Sequence, residues 1–144
     1  MPFIKSKFMK RLFLLLTVAF TVFSCSLDDD NSPQYFTEFL PIDSVEIPDE
    51  FQLGEIYEIK LNYMRPNNCY RFYDFYFASE DNQRTVAIRD TFYEDANCSE
   101  EPVEAEVSFN FEVRYTGTYV FRFWQGQDDS GTDNYYTVEV PVVE

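Results

Sequence analysis

Asp128-Asp129-Ser130-Gly131-Thr132-Asp133 gathers three carboxylates and hydroxyl oxygens in one short loop. Calcium is held by about six to eight oxygens, so Asp128, Asp129 and Asp133 could hold it weakly. The spacing is not that of an EF-hand, and a solvated hairpin loop would have the same composition. A few residues earlier stands Trp124, the only tryptophan. It falls on the opposite parity to Phe121 and Phe123, so it should face outward, near Tyr135. Such a pair could stack on a sugar or anchor a protein partner. Cross-strand packing on a sheet face would use the same residues. The chain has no histidine, which excludes a Ser-His or Cys-His nucleophile. Carboxylate pairs abound in so acidic a chain and single out nothing. No glycine-rich phosphate loop occurs. The expectation is a non-enzymatic protein without a cofactor or a dedicated metal.

The N-terminus gives an address. Lys5, Lys7, Lys10 and Arg11 precede an apolar run from Leu12 to Phe23, the layout of a secretory signal. The run is too short to span a bilayer, which takes about 20 apolar residues. Val22-Phe23-Ser24-Cys25 resembles the lipobox of bacterial lipoproteins, with Phe23 where a small or aliphatic residue is usual. That resemblance implies cleavage before Cys25 and lipidation of its thiol, so that residues 1–24 are removed and a lipid fixes the protein to a membrane. All four leading cations would leave and every acid would stay. Seven cations would then face 26 acids, a net charge of −19. Such a field repels nucleic acid and suits a solvated extracytoplasmic module. With Cys25 given to lipid, Cys69 and Cys98 remain in an oxidising compartment as one possible pair, or as two free thiols.

Residues 25–41 read as an acylated cysteine and an acidic flexible tether, polar and without periodicity at its start. From residue 42 to 144 period two dominates. Strands are expected at 44–47, 57–63, 70–78, 84–94, 107–115, 119–123 and 136–142. The third is apolar on both faces, as a central strand would be. No segment after the signal makes a convincing amphipathic helix. The expected fold class is all-β, a single seven-stranded, immunoglobulin-like antiparallel β-sandwich. The stretch YTGTYVFRF looks like the corner of such sandwiches where a tyrosine, here Tyr119, caps the chain through its hydroxyl. With the strands in order, Cys69, Cys98 and the loop after Trp124 fall at one pole. That pole is the expected contact with a protein or glycan.

The whole chain resembles small lipoproteins of the Bacteroidota, especially of flavobacteria. The residues that carry this are the lipobox at Cys25, the acidic stretch behind it, the aromatic strands around Cys69 and Cys98, and GTYVFRFWQG near the end. Ser26, Leu27, Asp28, Asp29 and Asp30 also look like the export signal of that phylum. This implies lipid anchoring in the outer membrane, facing the cell exterior. Asp43-Ser44-Val45 matches the phylum's short O-glycosylation motif, which makes Ser44 a candidate acceptor. The resemblance carries an address and a fold type but no activity. A binding or accessory module, a structural part of a surface assembly, and a carbohydrate-binding module all remain open.

Overall fold

The computed structural model describes residues 34–94 and 97–144. The signal peptide, Cys25 and the export residues Ser26 to Asp30 lie outside the described residues. Nine strands follow one another: β1 (Tyr35–Leu40), β2 (Ile42–Glu46), β3 (Phe51–Gln52), β4 (Ile56–Arg65), β5 (Tyr70–Glu80), β6 (Gln83–Tyr93), β7 (Val103–Glu112), β8 (Gly117–Gln127) and β9 (Asp133–Val143). They form a six-stranded and a three-stranded sheet, the latter ordered β2-β4-β7. Among the described residues no helix is long and apolar enough to cross a membrane.

β6 organises the larger sheet. Along one edge it pairs with β5 through a two-residue hairpin. Along the other it pairs with β1 over residues 88–93 and with β8 over residues 83–86. The hairpin turns at Asp81, whose φ of 50° lies in the left-handed region that Asp tolerates. Asn82 then ties the turn to β8: its side-chain amide donates to the Thr118 carbonyl at 2.7 Å, and its carbonyl accepts from Val120 N at 3.0 Å.

All seven expected strands exist, with two more. Tyr35–Leu40, read from the sequence as the end of the tether, is β1. Phe51–Gln52 forms β3, too short to show a period. The wiring also departs from the immunoglobulin order. There the third strand lies beside the sixth and the fourth joins the opposite sheet. Here the fourth expected strand, β6, sits between them, because its tight hairpin keeps it beside β5. As a result β6 and β8 run parallel, as do β3 and β9, so the sandwich is not antiparallel throughout. The strand expected to be central, β5, is an edge: it pairs with β6 alone, and Phe72, Tyr73, Tyr76 and Phe77 stay exposed.

The core lies between the sheets. Ile59, Leu61, Val86, Ile88, Phe121, Phe123 and Val140 are fully buried. β3 inserts Phe51 among Tyr57, Phe111, Tyr119 and Phe121, with ring centroids 4.8–6.1 Å away. The tyrosine corner forms as expected: Tyr119 Oη accepts from Arg114 N at 3.1 Å and Tyr115 N at 3.0 Å.

One acid interrupts this apolar layer. Asp90 of β6 is fully buried. Tyr63 of β4 donates its hydroxyl to Asp90 Oδ1 at 3.0 Å, and Arg65 Nε donates to Oδ2 at 2.9 Å. Burial first, then the Asp90 charge, pushes the Tyr63 hydroxyl up to about 12. Burial, then Glu38, does the same to Tyr70. A phenol whose folded pKa exceeds its unfolded value of about 10 contributes stability below that value. The contribution disappears as pH climbs through the folded pKa. We therefore expect the melting temperature to fall between about pH 10 and pH 12, less steeply in Tyr63→Phe. At neutral pH the same substitution removes a donor to a buried carboxylate and should cost about 1.5–3 kcal/mol in urea unfolding. A neutral-pH loss under half a kilocalorie, or an unchanged alkaline slope, would contradict this account.

Candidate functional site

The loop pole closes on itself. Cys69 and Cys98 form a disulfide, their Cα atoms 5.4 Å apart. Beside it Ser99 N donates to Asn68 Oδ1 at 2.8 Å, and Asn68 N donates to Ser99 Oγ at 3.2 Å. The β4–β5 and β6–β7 loops are thus joined by a covalent bond and two hydrogen bonds. The loop after β8 is likewise self-contained. Asp128 Oδ1 accepts from Ser130 N, Ser130 Oγ and Thr132 N at 2.8, 2.6 and 3.0 Å. These donors, the Ser130 side chain foremost, hold its carboxyl below the usual carboxylate range. Asp129 is exposed. Asp133 turns toward Trp124. Among the described residues no three acidic or thiol groups converge as a metal site needs. Ser44 lies exposed on β2, at the edge of the smaller sheet.

Trp124 and Tyr135 come together on the outer face of the six-stranded sheet, beside one another in register. They line a recess of about 320 Å³ with Phe39, Tyr76, Thr85, Ala87, Gln127 and Asp133. Strand parity explains its composition. Val86, Ile88 and Asp90 point into the core, so Thr85 and Ala87 must point out. These small side chains make the floor. Larger rings on the neighbouring strands stand around it: Tyr76 opposite Ala87 on β5, Phe39 on β1, and Trp124 and Tyr135 on β8 and β9. Phe39 meets Tyr76 edge-on, centroids 6.1 Å apart at 85°, and Trp124 at 6.0 Å and 61°. Arg122 stacks on Tyr135, 3.9 Å from the ring centroid.

A bulge aims the tryptophan. The β8–β9 register shifts between Trp124 and Gln127, around Gly126 at a φ of +94°. Both flanking side chains can then reach one acid: Trp124 Nε1 donates to Asp133 Oδ1 at 2.9 Å and Gln127 Nε2 at 3.0 Å. These two donors, Trp124 first, lower the Asp133 pKa.

The sequence reading found Trp124, Tyr135 and Asp133 but not Phe39, Tyr76, Thr85, Ala87 or Gln127. Tyr76 did carry a signal, since it is out of phase with Phe75 and Phe77. Phe39 fell within the supposed tether. No family model matches the chain, and neither a curated protein nor a solved structure matches it.

Trp124, as the single tryptophan, reports on its own contact with Asp133. A depressed folded pKa means that the contact persists above the ordinary carboxylate value and is lost only as pH falls through the lower one. We expect an acid titration of tryptophan emission to show a step with a midpoint below 3.8, the ordinary value for Asp. Asp133→Asn should lack that step; its persistence would assign the titration to another acid.

Proposed function

We propose that this protein is a lipid-anchored outer-membrane lipoprotein, facing the cell exterior, whose β-sandwich is a non-enzymatic binding module. Cys25 carries the lipid and the acidic stretch behind it carries the export address. The observation that supports a binding role is the aromatic recess: four large rings around a floor of Thr85 and Ala87, open on the outer sheet face. Pockets that hold small ligands are mostly apolar and carry a few placed polar groups, here Asp133 and Gln127. This moves the expected contact from the loop pole to the sheet face, because Asp128, Asn68 and Ser99 spend their polar groups within the loops while Asp133 turns to the recess. A carbohydrate or an apolar group of a protein partner fits this description.

Two measurements test the reading. The indole N–H of Trp124 gives one NMR resonance, so a ligand in the recess must shift it. We expect hits from a screen of small molecules and soluble glycans to move this resonance, and Tyr76→Ala to weaken them by about five-fold or more, the loss of one ring contact. A screen in which no compound moves it would remove the recess as a ligand site. For the anchor, metabolic labelling with an alkyne fatty acid should mark the wild-type chain and not Cys25→Ser. Label retained in the variant would remove the lipoprotein assignment.

A structural role in a surface assembly is the second reading, favoured by the free edge of β5. This strand of 11 residues exposes Phe72, Tyr73, Tyr76 and Phe77, and such edges pair readily with other chains.

A further inference from the structure

The recess sets inclined rings beside a carboxylate rather than offering one flat aromatic platform, which narrows its ligand; the argument rests on the recess being a ligand site. We infer that it binds a small, soluble quaternary ammonium compound. A sugar ring stacks on a flat aromatic surface. Here the rings are steeply inclined to each other, Phe39 at 85° to Tyr76 and at 61° to Trp124. They wall a compact hollow over Ala87 and Thr85, and its volume of about 320 Å³ is at the small end for ligand pockets.

Aromatic faces attract a cation lying within about 6 Å of the ring centroid. The fold already uses this attraction at one wall of the recess, where the Arg122 guanidinium sits 3.9 Å from the Tyr135 centroid. The rim adds a carboxylate. Trp124 and Gln127 both donate to Asp133 Oδ1, and among the described residues none donates to Oδ2. The full chain carries a net charge of −15, which raises the local concentration of cations. Hydrogen-bond counting then selects the kind of cation. A primary ammonium brings three donors, and the lining is mostly aromatic and apolar. A quaternary ammonium brings none, and its methyl groups match the walls. Arg122 opposes the ligand's charge, so its removal should tighten binding.

The test is an NMR titration of the full chain, following the Trp124 indole resonance. The probes are choline, its uncharged isostere 3,3-dimethylbutan-1-ol, phosphatidylcholine vesicles, and glucose, galactose and N-acetylglucosamine. Choline should shift the resonance and bind about five-fold or more tightly than the isostere. Asp133→Asn keeps an acceptor for the indole and removes the charge. It should weaken choline several-fold more than it weakens the isostere, whose retained binding also controls for folding. Arg122→Gln should strengthen choline binding. Equal affinity for choline and isostere, or choline affinity unmoved by both substitutions, would overturn the inference and leave a neutral apolar pocket. A response to vesicles without one to choline would overturn the soluble ligand. Sugars shifting the indole while choline does not would overturn the cation and leave the binding role standing. No response to any probe would overturn the cation, and with the negative screen above the binding role as well.

Discussion

A buried charge holds the two sheets in register. Asp90 has no exposure, and its oxygens are occupied by Tyr63 and Arg65 from the opposite sheet. Exchanging such a pair for apolar side chains is often neutral, whereas removing one partner leaves an uncompensated charge. The pair therefore selects one alignment over its neighbours more than it adds stability. In a strand that selection is absolute, because a slip of one residue sends every side chain to the other face. With Asp90 held inward, Val86 and Ile88 also point in, and Thr85, Ala87 and Arg89 must point out. The small floor of the recess thus follows from an interaction on the other side of the sheet.

The free edges of the sandwich are managed unequally. β7 carries Glu104, Glu106 and Glu112 along its exposed face, and like charges on an edge discourage pairing. β5 has no such row. Its protection is a register shift between Phe72 and Asp74, and a pair in which Arg89 donates through Nε to Asp74 Oδ1 at 2.7 Å. Arg89 also lies over the Tyr73 ring, 5.2 Å from its centroid. A bulge twists an edge locally, so the shift interrupts β5 near its start, while Tyr76 and Phe77 beyond it stay exposed on an open edge.

Period two revealed seven strands, because inward Val, Ile, Leu and Phe alternate with charged residues along most of them. The turn before Tyr119 and the Cys69–Cys98 pair were legible for equally local reasons: a glycine at φ +101° and a shortage of other partners. Pairing was not legible. Nothing in residues 83–93 states that they lie between β5 and β8. That placement comes from Asn82, whose amide and carbonyl bond β8 from 36 and 38 residues away. β1 was hidden because Tyr35, Phe36, Thr37 and Phe39 put bulk on both faces, and Pro41 gave a plausible end to the tether. Asp90 could have been noticed, since it falls in phase with Val86, Ile88 and Phe92, where an acid is out of character. The recess could not, because its floor and walls come from five strands whose registers no single segment encodes.

The same contact that moves the chain between sheets also completes the recess. Pro41 separates β1 in the larger sheet from β2 in the smaller one, and its missing N–H suits a break in pairing. Its ring packs against Gly126, where an added Cβ would lie 3.3 Å from Pro41 Cγ. A side chain there would meet both a tight neighbour and a backbone conformation that favours glycine. Gln125 reinforces the join by donating from Nε2 to the Ile42 carbonyl at 3.1 Å. Two residues before Pro41 comes Phe39, and two residues before Gly126 comes Trp124. Period two places each on the outer side of its own strand, and the proline–glycine contact brings the two strands close enough for the rings to touch. The walls of the recess are therefore set by the crossing of the chain, and a change at Gly126 would reach Trp124 and Phe39 together without touching either.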